Sequence, residues 1–174
     1  HRLLPWVEPA VVSDAGRRRL PPSLVEAVDA GREARRARHA AVVAATLEVE
    51  DALGRAGVRC LHLKGLALAT RYYGDPRRRW QWDVDVLVPS PRREAAFAAL
   101  EAVGYVPDPG RVKEGVVRWG FRRGEEEVDV HWNLRRRARR RIDEAALWRD
   151  PARFEVGGRT LETMGDEPTL TFRL

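Results

Sequence analysis

Apolar positions recur first at helical intervals. Between Glu33 and Arg55, Val42, Val49, Leu53 and Ala56 follow one another at steps of seven, four and three, which gives one apolar face and predicts a long helix. Gly57 supplies its stop. Upstream, Ser23–Ala30 predicts a short helix, with Ser23 as N-cap and Glu26 three positions later as in a capping box. Val58–Leu63 reads as a short buried strand and Leu66–Tyr73 as a second helix, broken by Gly74, Asp75 and Pro76. The period then changes to two. Residues 83–88, DVDVLV, alternate as a strand does, and Pro89 and Pro91 end it. Ser90 is placed to cap a helix from Arg92 to Val103, closed by Gly104. Val112–Arg122 and Glu126–Trp132 predict two more strands, joined as a hairpin through Arg123, Gly124 and Glu125. An arginine-rich stretch, a short helix near Ile142–Trp148 and a hairpin over Phe154–Met164 complete the chain.

This order predicts an α+β fold: a short mixed sheet, partly antiparallel, with helices on one side. Residues 1–31, rich in Pro and Arg, read as an arm, and 32–174 as one domain. The chain starts without Met and stops in EPTLTFRL, so a trimmed fragment is expected, with helical sequence missing at the C-terminus. No apolar run approaches the roughly 20 residues that span a bilayer, so no membrane partner is expected. The start lacks the apolar stretch of a signal peptide. Cys60 stands alone, so no intramolecular disulfide and no cysteine-based zinc site are expected, and a reducing, cytoplasmic setting is the simplest reading. The net charge of +6 suits nucleic acid, nucleotides or acidic partners. Only Lys64 and Lys113 are lysines, so an arginine bias from base composition is the slightly preferred explanation of the charge, which lends a polynucleotide partner weak support.

The acidic residues carry the chemistry. In a strand, Asp83 and Asp85 share a face with Cα atoms roughly 7 Å apart, while Val84, Val86 and Val88 fill the other. Two like charges so placed repel, and a divalent cation between them removes that cost; hard oxygen ligands suit Mg²⁺. Glu127, Asp129 and His131 share a face of the later strand. If the two strands are neighbours, Asp129 completes a three-carboxylate cluster able to hold two metal ions for phosphoryl or nucleotidyl transfer. The competing reading is the solvated face of a half-exposed strand, but Asp is a poor strand former and two within a valine run want a reason. His131 is read chiefly as a hydrogen-bond partner of a carboxylate, with metal ligation as the alternative.

Lys64–Gly65 falls at a strand-to-helix turn. There the glycine lets backbone approach a ligand, the helix start offers N–H groups to phosphate, and Lys64 adds a mobile charge. Of Arg77, Arg78 and Arg79, the last is the preferred triphosphate contact. Trp82 and Trp132 are expected to pack rather than stack on a base, and Cys60 with His62 to lie in the core. Tyr72 and Tyr73 read either as pocket lining or as helix-end packing. Arg135–Arg141 reads as a polynucleotide track or as a solvated basic helix.

With these residues placed, the chain resembles the uncharacterised nucleotidyltransferase family of bacteria, within the polymerase-β-like superfamily. The resemblance rests on Leu63-Lys64-Gly65, Tyr73 and Pro76, Arg79 four residues ahead of Asp83-Val84-Asp85-Val86-Leu87-Val88, Gly104-Tyr105, and Val128-Asp129-Val130-His131-Trp132. It covers roughly residues 40–135, and it is the order of the pieces that is specific. The wider superfamily has Gly-Ser where Lys64-Gly65 stands, so no serine hydroxyl is offered there. The resemblance implies a polymerase-β-like nucleotidyltransferase fold over 32–174. It implies Asp83, Asp85 and Asp129 as catalytic metal ligands for Mg²⁺ (or Mn²⁺ in its place), and Lys64, Gly65 and Arg79 at the nucleotide. The expected reaction moves a nucleoside monophosphate from an NTP to an acceptor hydroxyl on RNA, protein or a small molecule. A non-catalytic nucleotide- or RNA-binding module on a degenerate fold is the alternative, and a metal-dependent phosphotransferase or nuclease the third class.

Overall fold

The structure is a computed structural model that describes residues 18–79, 81–111, 118–134 and 144–166. Residues 1–17 of the expected arm, residues 112–117 of the strand expected over Val112–Arg122, the arginine stretch 135–141 and the C-terminal 167–174 lie outside the described residues. Helix α1 runs from Pro22 to Arg55. Strand β1 (Leu61–Leu63) leads into helix α2 (Gly65–Tyr72), then a 3-10 turn over Pro76–Arg78 and strand β2 (Asp83–Leu87). Helix α3 (Arg93–Ala102) follows, then β3 (Val106–Pro107), β4 (Arg118–Arg123) and β5 (Glu126–His131). Helix α4 (Glu144–Arg149) and the hairpin β6 (Ala152–Val156) and β7 (Arg159–Thr163) come last.

The strands form one seven-stranded sheet in the order β3-β4-β5-β2-β1-β7-β6. It is mixed: β2 runs parallel to β5 and β1 parallel to β7, while the other neighbours are antiparallel. Valines decide which face is inside. Val84, Val86 and Val88 of the β2 segment and Val128 and Val130 of β5 bury against Val42, Ala45, Val49 and Leu53 of α1 and against Ala96, Ala99 and Leu100 of α3. A smaller cluster on the opposite face joins Leu61, Leu63 and Leu87 to Leu134, Met164 and Leu147 of α4, so a short helix covers part of the face expected to lack one. Among the described residues no helix is long and apolar enough to cross a membrane.

Both glycine stops behave as expected. Gly57, at φ 65°, closes α1 with bonds from Gly57 N–H to Gly54 O and Val58 N–H to Leu53 O, the pattern of a Schellman cap. Gly104, at φ 90°, closes α3 in the same way through Glu101 O and Leu100 O. The serine caps do not form. One continuous helix replaces the expected pair, beginning at Pro22 with Pro21 as its N-cap residue and no side-chain bond. Proline suits the first turn of a helix because its missing N–H would have no partner there. Ser90 instead opens a 3-10 turn, Ser90–Arg92, and makes no capping bond.

Beside α3, Arg123 joins three elements. It donates to Glu48 Oε1 of α1 at 2.9 Å, to Glu126 Oε2 at 2.8 Å and to Val103 O at 2.8 Å, and its guanidinium lies over the ring of buried Tyr105. The Arg123 hydrogen bonds hold the Glu48 carboxyl below its usual value. A depressed carboxyl contributes stability above its unfolded pKa, and that contribution fades as pH falls through the folded one. Acid titration of unfolding should therefore show a shallower loss for Glu48→Gln than for the wild type as pH falls from the usual carboxylate range through the lower folded value. Leu53, fully buried under the sheet, sets the core test: Leu53→Ala should cost about 2–5 kcal/mol in urea unfolding.

Candidate active site

The pleat of β2 turns Asp83 and Asp85 away from the valine core. β5 lies alongside in parallel, with Asp83 opposite Glu127, Asp85 opposite Asp129 and Leu87 opposite His131. Two acidic strands are thereby brought together by register alone. Donor atoms of Asp85, Asp129 and His131 all lie within 4.8 Å of one another, and all three residues are buried. Asp83 stands one pleat earlier on the same face, half-buried, and is not part of that group.

Cationic and hydrogen-bonding groups surround the buried carboxylates. His131 Nε2 lies 2.8 Å from Asp85 Oδ1, and Lys64 Nζ is 3.5 Å from the same oxygen. Arg118 pairs with Asp129 from β4. Burial alone would raise the Asp85 carboxyl, but the bond to His131 and the charge of Lys64 outweigh it and hold the group below its usual value. Burial, with the charges of Lys64 and Arg118, lowers His131 against the pull of Asp85. At neutral pH the ring is therefore neutral, and its Nε2–H donates to the ionised carboxylate. Gly120 pairs opposite Asp129 in β4, so no β4 side chain stands directly across from this carboxylate, and Arg118 reaches it from the next same-face position.

Lys64 and Gly65 form the turn between β1 and α2. Lys64 has φ 41° and Gly65 φ 30°, so a non-glycine residue holds a left-handed conformation at the point where its side chain meets Asp85. A Cβ on Gly65 would sit 3.6 Å from Asp83 O, so the turn passes directly over β2. A small pocket lined by Leu63, Leu66, Ala67, Thr46, Asp83 and Asp85 lies where this turn meets the strand. Arg79 is placed elsewhere. It lines a basic pocket with Arg35, Arg38, His39, Arg77 and Gln81, none of them a carboxylate, and its buried Nε has no hydrogen-bond partner among the described residues. Arg77 pairs locally with Asp75 at 2.8 Å.

Two aromatic expectations divide. Trp132 packs on Phe97. Trp82 does not pack: it is 60% exposed, with the Arg38 guanidinium 5.3 Å from its ring centroid. Tyr72 is exposed at the end of α2 and donates to Asp166. Sequence reading gave Arg118 no role. Its signal is the Arg118–Gly120 alternation opposite Asp129, which carries meaning only once the β4–β5 register is known.

The donor set fits a hard divalent cation, because two buried carboxylates converge with an imidazole and their charge is otherwise balanced by side chains alone. Comparison with known proteins bears on what such a site belongs to. The family model described as uncharacterised nucleotidyltransferase matches residues 1–173. A search of curated proteins finds no match. Among solved structures, the solution structure of the antibiotic-resistance factor ANT(2'')-Ia aligns with a TM-score of 0.52 at 17% identity, over 74% of this chain and 67% of that one. The lincomycin-bound lincosamide antibiotic adenylyltransferase LnuA aligns with a TM-score of 0.53 at 14% identity, over 72% and 82%. ANT(2'')-Ia in complex with adenylyl-2''-tobramycin gives 0.51 at 19% identity, over 71% and 68%. At such identities the likeness is one of fold. With residues 1–173 matched, the chain belongs to the uncharacterised nucleotidyltransferase family.

Proposed function

We propose that this chain transfers a nucleoside monophosphate from an NTP to an acceptor hydroxyl and releases pyrophosphate, using a divalent cation, Mg²⁺ or Mn²⁺, held by Asp85 and Asp129 with Asp83 beside them. The observation that carries the reading is the register of Asp85 against Asp129, which sets two buried carboxylates side by side. When bound, the cation supplies charge stabilisation at the phosphates and lowers the pKa of the attacking hydroxyl. The residues of the chain do the rest. His131 holds Asp85 in one orientation through its 2.8 Å bond. With a cation held at Asp85, Lys64 would be available to the triphosphate, and the start of α2 after Gly65 would offer backbone N–H groups to the same phosphates. The acceptor is RNA, protein or a small molecule. The small-molecule class draws support from the neighbours of like fold, one bound to lincomycin and one to an adenylylated tobramycin.

One observation favours a second reading. Arg118 already pairs with Asp129, as it would in a degenerate fold that binds nucleotide or RNA without metal. Calorimetry separates the two: the enzyme reading expects NTP affinity to collapse in EDTA, the binding-module reading expects it to persist.

The direct assay is transfer of label from an α-labelled NTP to a cell-extract acceptor. Asp85→Asn combined with Asp129→Asn should lower the rate at least about a hundredfold, because the metal contributes several kcal/mol and each ~1.4 kcal/mol is tenfold. Full activity in a folded double variant would reject the mechanism. Lys64→Ala should raise KM for the NTP more than it lowers kcat, and an unchanged KM would remove Lys64 from the phosphate role.

A further inference from the structure

The other face of the sheet carries a second group of metal-type donors, on residues the transfer reaction does not use. Cys60 and His62 are two positions apart along the β1 segment and point toward α1. Glu50 comes down from α1 to meet them. Its Oε2 lies 2.8 Å from His62 Nε2 and 3.1 Å from Cys60 Sγ, and Sγ to Nε2 is 3.9 Å. Cys60 and His62 are buried, while the Glu50 side chain keeps 29% of its surface open to solvent.

We propose that Glu50, Cys60 and His62 form a zinc site that fastens α1 to β1. Tetrahedral zinc, with bonds of about 2.3 Å to sulfur and about 2.0–2.2 Å to nitrogen and oxygen, sets its ligand atoms roughly 3.3–3.6 Å apart. The three separations observed here fall roughly half an ångström or less to either side of that range. Small rotations of the three side chains bring them onto it. One carboxylate oxygen now sits between a thiol and an imidazole, the place where one cation would replace two hydrogen bonds. The charges also balance. A carboxylate, a thiolate and a neutral imidazole around a 2+ ion sum to zero, so the filled site carries no net charge into the core. A thiolate with an imidazole selects zinc over the hard cations that suit Asp85 and Asp129. The thiol proton and any proton shared by Glu50 and His62 leave through the exposed side of Glu50, which also admits the ion. The second Glu50 oxygen or a water completes the fourth position. Lys64 follows His62 by two residues, so the site anchors the base of the turn that holds the strained lysine.

This inference is independent of the nucleotidyl-transfer reading, and its test is spectroscopic. Cys60 is the sole cysteine in the chain, so a sulfur-to-cobalt charge-transfer band in the near ultraviolet can arise only here. The full chain, stripped of metal and titrated with Co²⁺, should develop that band to saturation, at a single ion per chain when Asp85→Asn and Asp129→Asn remove the other cation site, and added Zn²⁺ should abolish it. Asp85→Asn with Asp129→Asn should retain the band, and Cys60→Ser and His62→Gln should lose it while keeping native circular dichroism. A folded wild-type chain that shows no band, or that binds Zn²⁺ as tightly after Cys60→Ser, overturns the proposal. The wild-type titration decides the matter alone if a variant fails to fold.

Discussion

The parallel pairing of β2 with β5 is the constraint on which the rest depends. Side chains alternate with a period of two, so a slip of one residue would send Asp129 into the core and bring valines to the open face. The valines prevent the slip. Val84, Val86, Val128 and Val130 are 0–4% exposed beneath α1 and α3, and exposing them would cost on the order of 1.5–3 kcal/mol each. The same pleat that buries them sets Asp85 beside Asp129. The core therefore meets the electrostatic cost of the site by fixing the register, and no separate device is needed to bring the carboxylates together. What the core cannot do is neutralise them. Lys64 and Arg118 do that from the turn after β1 and from β4, and His131 of β5 adds a hydrogen bond, so three segments besides β2 have a stake in one cluster.

The helices position the edges of this arrangement. Gly57 ends α1 and turns the chain directly into the β1 segment, so the helix that covers the valines also delivers Leu63, Lys64 and Gly65 to the far face. Lys64 keeps a positive φ there, a conformation that costs a non-glycine residue of order 1–3 kcal/mol. A side chain that reaches Asp85 from that backbone gains an ion pair in partial compensation. On the other side of the sheet, Arg123 ties α1, the end of α3 and the β4–β5 hairpin together. This tie steadies the hairpin that carries Asp129.

Much of this was legible in the sequence, for local reasons. Alternation named the faces of Asp83–Val88 and Glu126–Trp132, and positive-φ glycines named the ends of two helices. These signals act over a few residues and need no tertiary information. Contacts made across the fold left weaker traces. Arg118 sits in an arginine-rich chain, and nothing local distinguishes it from its neighbours. The tie through Glu48 and Arg123 joins residues 75 positions apart. Ser23 and Ser90 mislead because each lies next to proline, and proline sets the local turn before a hydroxyl can cap it. Trp82 was expected inside, yet β2 begins one residue later and leaves it on the surface beside Arg38. Arg79 is four residues ahead of Asp83 in sequence, but its side chain turns toward α1.

The convergence of Asp85 and Asp129 on a divalent cation is the claim from which the chemistry follows. Anomalous diffraction from crystals grown with Mn²⁺ and a non-hydrolysable NTP addresses it without reference to any acceptor. The account predicts a manganese peak between the two carboxylates, with the triphosphate against Lys64 and the start of α2. A nucleotide bound with no manganese at that point, and Arg118 still paired to Asp129, would contradict it.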